Sequence, residues 1–342
     1  MSKETIVLNT ESIVQDILNS IDREREREII ARRYGLFDRK ETLEQIGELL
    51  GITRERVRQL EKSVMTKLRQ SGTDLPHITE VESAILAAIT STGETARVTT
   101  LSGVLTAENT RTDQSRLAFL TELCPSVSVI SEDDTYFQAA GKGSVHDVVA
   151  IKKEIGQLVE AIKKSGKPVE TKEMSKLANM PSDMYATALA SVSKQLATLN
   201  GRWGLIKWPT VNPKNIRDKI YVILSENKKH MHFNEISEAI KESDFKRKDV
   251  TTQAIHNELI KDKRFVLIGR GIYALREWGY SKGTVADIIS EVLREAGEPL
   301  HRDEIVKRVL KSRFVKETTI LLNLQSKSQF KRVAKATYQL TE

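Results

Sequence analysis

The chain has a single cysteine among 342 residues, Cys124, which excludes an intrachain disulfide and fits a reducing cytoplasm. Its surroundings, LAFLTELCPSV, are apolar, so a buried structural thiol is expected there rather than a reactive one. No stretch approaches the roughly 18–20 apolar residues that cross a bilayer. The opening MSKETIVLNTESIVQDIL lacks the charged, apolar, then small pattern of a secretory leader. A soluble, cytoplasmic protein with no membrane partner is expected. Nucleophile elbows, paired catalytic carboxylates and Cys/His arrangements are missing, so no enzymatic activity is expected. His230 and His232 flank Met231 without a further clustered Cys, His or carboxylate, so neither a metal nor any other cofactor is expected. Gly141-Lys142-Gly143-Ser144 lacks the spacing of a phosphate-cradling loop and reads as a linker.

What is present is a charged, foldable composition: 39% hydrophobic, 30% charged, and a formal net charge of +7. A basic balance suits a polyanionic partner, although charge alone selects none. The length calls for several domains. The most informative stretch is Thr42–Leu68, TLEQIGELLGITRERVRQLEKSVMTKL. Thr42 followed by Gln45 is a capping box, so a helix is expected to begin at Thr42 and run through Leu50, with Gly51 as its left-handed stop. Thr53 caps a second helix, and Ile52 is placed to staple against Val57. Two helices joined by a three-residue turn form a helix-turn-helix, whose second helix enters the DNA major groove.

In that second helix Val57, Leu60, Val64 and Leu68 recur at helical spacing and should pack on Ile46, Leu49 and Leu50. Arg54, Glu55, Arg58, Gln59 and Lys62 are left over near the helix start. Such side chains suit base edges, since Arg pairs with guanine, Gln with adenine, and Glu accepts from cytosine. The bland alternative is a solvated charged face. Two further helices, over 11–20 and 22–34, lead into the motif. Asp22 is expected to cap the second, and Ile29, Ile30 and Tyr34 should face the helix-turn-helix.

The same stretch resembles region 4 of the primary sigma factors of bacterial RNA polymerase. The resemblance is carried by Asp22–Glu26, Ile29–Gly35, Leu43–Gly47 and Thr53–Glu61, within about residues 10–70. It implies a module that reads an upstream promoter hexamer on double-stranded DNA and rests on the polymerase flap. By motif position it implies base reading by Arg54, Glu55 and Gln59, with Arg58 nearby. Nothing in the sequence resembles the sigma segments that melt the start site and clamp the core enzyme, so a stand-alone initiation factor is not expected unless another subunit supplies those parts.

A degenerate repeat follows. Its first apolar anchor is Ile89, Ile162, Leu224 or Leu293, and twelve residues later stands Leu101, Met174, Ile236 or Ile305. Ala96, Val169, Met231 and Leu300 occupy the seventh place. Gly93, Gly166, Lys228 and Gly297 occupy the fourth, where a helix should end. A third helix and a strand pair come after each frame, clearest at 265–275 and 330–340 and weaker at Val127–Phe137 and Leu196–Ile206. Three helices and a hairpin make a winged helix.

The expected fold is therefore mainly α, built of tandem helix-turn-helix and winged-helix modules. Their expected bounds are 1–72, 76–140, 145–210, 214–278 and 283–342. The last two resemble the HARE-type winged helix, a family that includes the N-terminal domain of the RNA polymerase delta subunit and modules fused to restriction and chromatin proteins. That resemblance rests on FVLIGRGIYAL and TTQAIHNELI, and it implies a fold and a polymerase or nucleic-acid context without fixed site residues.

Lys246, Arg247 and Lys248 precede the third helix of the fourth module and Arg270 lies in its hairpin turn, where phosphates would be met, the alternative being a solvated charge run. Lys331, Arg332 and Lys335 are weaker equivalents in the fifth. Residues 76–210 are not basic enough to prefer DNA, so protein docking is the expectation for at least one module.

The leading expectation is a sequence-specific DNA-binding transcription regulator. The competitors are a polymerase-associated accessory protein whose first domain binds the flap, and an interaction subunit of a host-defence or mobile-element system.

Overall fold

The computed structural model describes residues 7–143, 147–245, 247–280 and 282–341, and the chain divides into two compact units, Met1–Lys207 and Trp208–Glu342. The protein is mainly helical, with small antiparallel sheets.

The first unit opens on four helices: α1 (Thr10–Asn19), α2 (Glu24–Tyr34), α3 (Leu43–Leu50) and α4 (Arg54–Ser71). Local chemistry fixes the α3–α4 corner. Thr42 caps α3 with both hydrogen bonds of a capping box, and Gly51 ends it in the left-handed region at φ 64°. The Thr53 side chain accepts from the Arg56 amide to start α4. The turn folds back tightly, because Ile52 N–H donates to the Gly47 carbonyl at 2.9 Å. A Cβ at Gly47 would stand 2.7 Å from the Ile52 carbonyl oxygen, so only glycine allows that approach. Two sequence expectations fail here. The N-cap of α2 is Arg23, without a side-chain cap, rather than Asp22. Leu49 is 55% exposed instead of packed, because Ile29, Ile46 and Val57 already fill the small core between α2, α3 and α4.

Next come α5 (Ile78–Thr92), β1 (Thr95–Arg97), α6 (Val98–Leu105), α7 (Arg111–Leu123), β2 (Val127–Ile130) and β3 (Ala139–Lys142). The same order recurs as α8 (Val148–Ser165), β4 (Val169–Glu170), α9 (Met174–Ala178), α10 (Asp183–Val192), β5 (Leu196–Leu199) and β6 (Arg202–Leu205). In the second unit it recurs twice more. One copy is α11 (Ile216–Asn227), β7 (Met231–His232), α12 (Phe233–Glu242), α13 (Thr252–Lys261), β8 (Phe265–Gly269) and β9 (Ile272–Leu275). The other is α14 (Val285–Ala296), β10 (Leu300–His301), α15 (Arg302–Ser312), α16 (Glu317–Ser326), β11 (Phe330–Ala334) and β12 (Thr337–Leu340).

The frame of the repeat maps onto these copies place by place. All four helix-ending residues are left-handed C-caps, at φ 106°, 65°, 50° and 66° for Gly93, Gly166, Lys228 and Gly297. The seventh-place residues lie in the short strands and pair with the last strand of each copy. Their partners are Ala140 for Ala96, Trp203 for Val169, Tyr273 for Met231 and Tyr338 for Leu300. Every anchor residue is buried.

One hairpin departs from expectation: its second strand is Ala139–Lys142, not a segment ending at Phe137. Lys142 and Gly141 are therefore strand residues rather than linker, while Ser144 lies outside the described residues.

The first core does not stop at residue 72. Ile17, Ile30, Val64, Met65 and Leu68 belong to one buried cluster with Ile85, Leu101, Leu117, Phe119 and Ala140. Tyr34 and Phe119 meet edge to face at 5.1 Å across this junction. Arg116 of α7, buried, donates from Nε to the Leu36 carbonyl at 2.7 Å and pairs with Glu11 at 2.8 Å.

Candidate nucleic-acid interface

Helix capping and core packing together decide which side chains of α4 are free. Val57, Val64, Met65 and Leu68 are buried, and Leu60 packs against the small core. Arg54, Glu55, Arg58, Gln59 and Lys62 are all exposed, on the face those anchors leave open. The geometry therefore brings the five sequence-predicted residues together on one exposed face at the start of one helix.

Their electrostatics are organised by Glu55. Arg58 donates to both Glu55 carboxylate oxygens, at 2.8 and 2.7 Å, and Gln59 Nε2 donates to one of them at 3.3 Å. The Arg58 hydrogen bond holds the Glu55 carboxyl below its ordinary range, and the pair raises Arg58 in turn. Among the described residues the side chains of Arg54 and Lys62 make no hydrogen bond or ion pair. Two cations are thus available at once, while Arg58 must exchange a carboxylate for any other acceptor. At the far side of the turn Arg25 donates to the Leu50 carbonyl at 2.5 Å, satisfying one orphan acceptor at the end of α3.

The third helices of the four repeated copies are not equivalent. Residues 116–121 of α7 are all buried, because the helix is wedged between α1, α2 and α4 on one side and α5 and α6 on the other. Most of α10 is covered as well, against α8, α9, α5 and β1. Only Ile255 and Leu259 of α13 are buried, and only Ile320 and Leu324 of α16. An element that reads a groove needs an open face, which α13 and α16 have and α7 lacks. Sequence reasoning missed this asymmetry, because it arises from neighbouring segments and not from the helices' own periodicity.

The secondary candidates are placed as follows. Arg247 and Arg270 are exposed, Lys248 is half-buried, and Lys246 lies outside the described residues. The Arg247 carbonyl accepts from the buried Lys219 ammonium at 2.7 Å, and Arg270 sits in the β8–β9 turn. Lys331, Arg332 and Lys335 are exposed along the last hairpin. His232 serves as the cap of α12, its Nδ1 accepting from the Asn234 amide at 3.3 Å, and His230 meets Phe314 in a tilted ring contact at 4.4 Å. Burial pushes the Cys124 thiol up to about 12. Among the described residues no helix is long and apolar enough to cross a membrane.

Comparison with known proteins bears on the first four helices. RNA polymerase sigma factor SigA of a Bacillus species is 44% identical over 57 residues, 16% of this chain and 15% of that protein. RNA polymerase sigma factor SigA1 of Synechococcus elongatus is 54% identical over 46 residues, 13% of this chain and 12% of the relative. RNA polymerase sigma factor RpoD of Helicobacter pylori is 47% identical over 58 residues, 16% and 8% of the two chains. The chain thus spans only 8–15% of the length of these curated relatives. No solved structure matches it. Residues 23–70 match the family model described as Sigma-70, region 4, and it is this segment, rather than the chain as a whole, that the similarity covers.

Proposed function

We propose that the protein is a sequence-specific DNA-binding transcription regulator that acts at promoter-like duplex DNA. Helix α4 enters the major groove, Arg54, Glu55, Arg58 and Gln59 face base edges, and Lys62 meets the backbone. The observation that carries this reading is the exposed polar face at the capped start of α4, within the segment that matches sigma-70 region 4. Glu55 holds Arg58 and Gln59 in place in the free protein, so the stripe reaches DNA already ordered, with Arg54 and Lys62 free for first contact.

The four copies behind it are read as winged helices, bounded near 76–140, 145–210, 214–278 and 283–342, the last two of HARE type. Burial separates their roles. The covered α7 makes the first copy a scaffold for the reading head and α10 packs on that copy, whereas α13 and α16 keep faces for a partner. Arg247, Lys248 and Arg270 are the secondary phosphate contacts of this scheme, with Lys246 beside them in sequence. Linked weak contacts raise the effective concentration of the reading head on its site.

A second reading has its own observation. Leu49 stands uncovered on α3, within the segment that matches sigma-70 region 4, and is read as a contact point for a protein surface such as that of RNA polymerase. In that case the protein is a polymerase accessory without promoter choice. Two assays on the full chain separate these readings. Sequencing of duplex fragments bound by the purified protein should return one enriched motif, and pull-down of polymerase should depend on Leu49 only under the accessory reading. Polymerase retention without any enriched motif would overturn the regulator.

A further inference from the structure

In the first unit a cleft of about 570 Å³ opens between stretches distant in sequence: loop residues 38–40, the starts of α6 and α7, and residues 132–138 before β3. That volume lies in the range of small-ligand sites. Its charge is unbalanced, because Arg39, Lys40, Arg97 and Arg111 line it against Asp38 and Glu132. Glu132 is already engaged by the Lys194 ammonium at 2.7 Å. Among the described residues Arg39, Lys40 and Arg111 are exposed and have no hydrogen-bonding or ion-pair partner.

Arg97 is held differently. Its guanidinium lies 3.7 Å from the centroid of the Phe137 ring, and Nε donates to the Ser191 carbonyl. No carboxylate meets it among the described residues, and burial pushes its pKa down. A desolvated cation without a counter-charge is costly unless an anion completes the site. Helix α6 also begins beside this guanidinium without a side-chain cap, and Val98 and Thr99 of its first turn line the same space, with the Val98 N–H donating to the Gln138 carbonyl at 3.0 Å.

We propose that this cleft binds a small polyphosphate, a free di- or triphosphate group whose oxygens are met by Arg39, Lys40 and Arg111 around the fixed Arg97. The site does not depend on the DNA reading of α4. Its walls favour a small anion over a duplex backbone: a duplex is convex, whereas this space is a recess bordered by a loop, two helix starts and the lead-in to a strand. The ring of Phe137 already carries Arg97 and, at 5.2 Å, Lys194, so phosphates rather than a stacked base supply the recognition. A bound ligand would bridge the loop between α2 and α3 to α6 and α7.

The test is calorimetric titration of the full chain with pyrophosphate and with tripolyphosphate at low salt, using sulfate at matched ionic strength as control. Saturable binding is expected, weakened at least tenfold in R39A/R111A with an unchanged circular dichroism spectrum, and partly restored in R39K/R111K. The proposal is overturned by absence of saturable binding at millimolar pyrophosphate, by equal binding of sulfate, or by an unaltered affinity in the double variant. A second arm titrates pyrophosphate into the protein bound to duplex DNA. Unchanged pyrophosphate affinity is expected, and mutual competition would assign the cleft to the nucleic-acid backbone instead. If no duplex binds at all, the α4 reading fails while the first arm still decides the cleft.

Discussion

Replacing Phe119 by alanine should weaken the helix-turn-helix even though the residue lies some fifty positions beyond it. Phe119 is fully buried in the cluster shared by α1, α2, α4, α5, α6 and α7, and its ring meets Tyr34 of α2 at 5.1 Å. Truncating a buried Phe costs ~3–5 kcal/mol, and an edge-to-face partner adds ~0.5–1.5 kcal/mol at most. Taking about 4 kcal/mol, a unit of this size should lose roughly 8–16 °C in Tm. Native-state hydrogen exchange is the sharper assay. If one core stabilises both segments, amides of α2 and α4 that exchange by global opening should speed up by roughly a thousandfold, together with those of α5–α7. Duplex binding should fall in parallel near the lowered Tm. Lost protection in α5–α7 with unchanged protection in α2 and α4 would refute the shared core, and with it the view of the second segment as a scaffold for the first.

Other consequences are more local. Gly47→Ala forces a Cβ to within 2.7 Å of the Ile52 carbonyl, so it should cost ~1–3 kcal/mol in urea denaturation and weaken DNA binding by misaligning α4. Lys62→Ala should lower affinity alike for all sequences and reduce the log–log salt slope by about 0.9, which titrations at several salt concentrations will measure. The Cys124 thiol should resist a thiol reagent at pH 8 until the chain unfolds. Its pKa is raised in the fold, so the associated stability is intact below the ordinary thiol range and is lost progressively as pH rises from about 9 toward 12. Cys124→Ser should flatten that alkaline decline.

Much of the helix-turn-helix was legible because its signals are local. Thr42, Gly51 and Thr53 act within a few residues of themselves, and so does the spacing of Val57, Val64 and Leu68. The repeat was legible for a related reason, since each left-handed stop and each short strand recurs at a fixed distance from its anchors. The burial of α7 was not, because Arg116 and Thr121 look like surface residues until α1, α2 and α6 close over them. Leu49 failed in the opposite sense: its spacing fits the core, but Ile29, Ile46 and Val57 had already filled it. The cleft beside α6 was invisible because Arg39 and Lys40 lie more than fifty residues of chain before Arg97 and Arg111. The strand at Ala139–Lys142 was hidden by Gly141, a residue type that weakens a strand interior and reads as a break in sequence.

Nucleobase contact by the first turns of α4 is tested most directly by selection from a random duplex pool with the wild type and the R54A/Q59A variant. One motif should dominate the wild-type pool. The variant should lose preference at one or more of its positions, by ~1–3 kcal/mol for each bidentate contact removed. The same motif, enriched equally by both proteins, would contradict it.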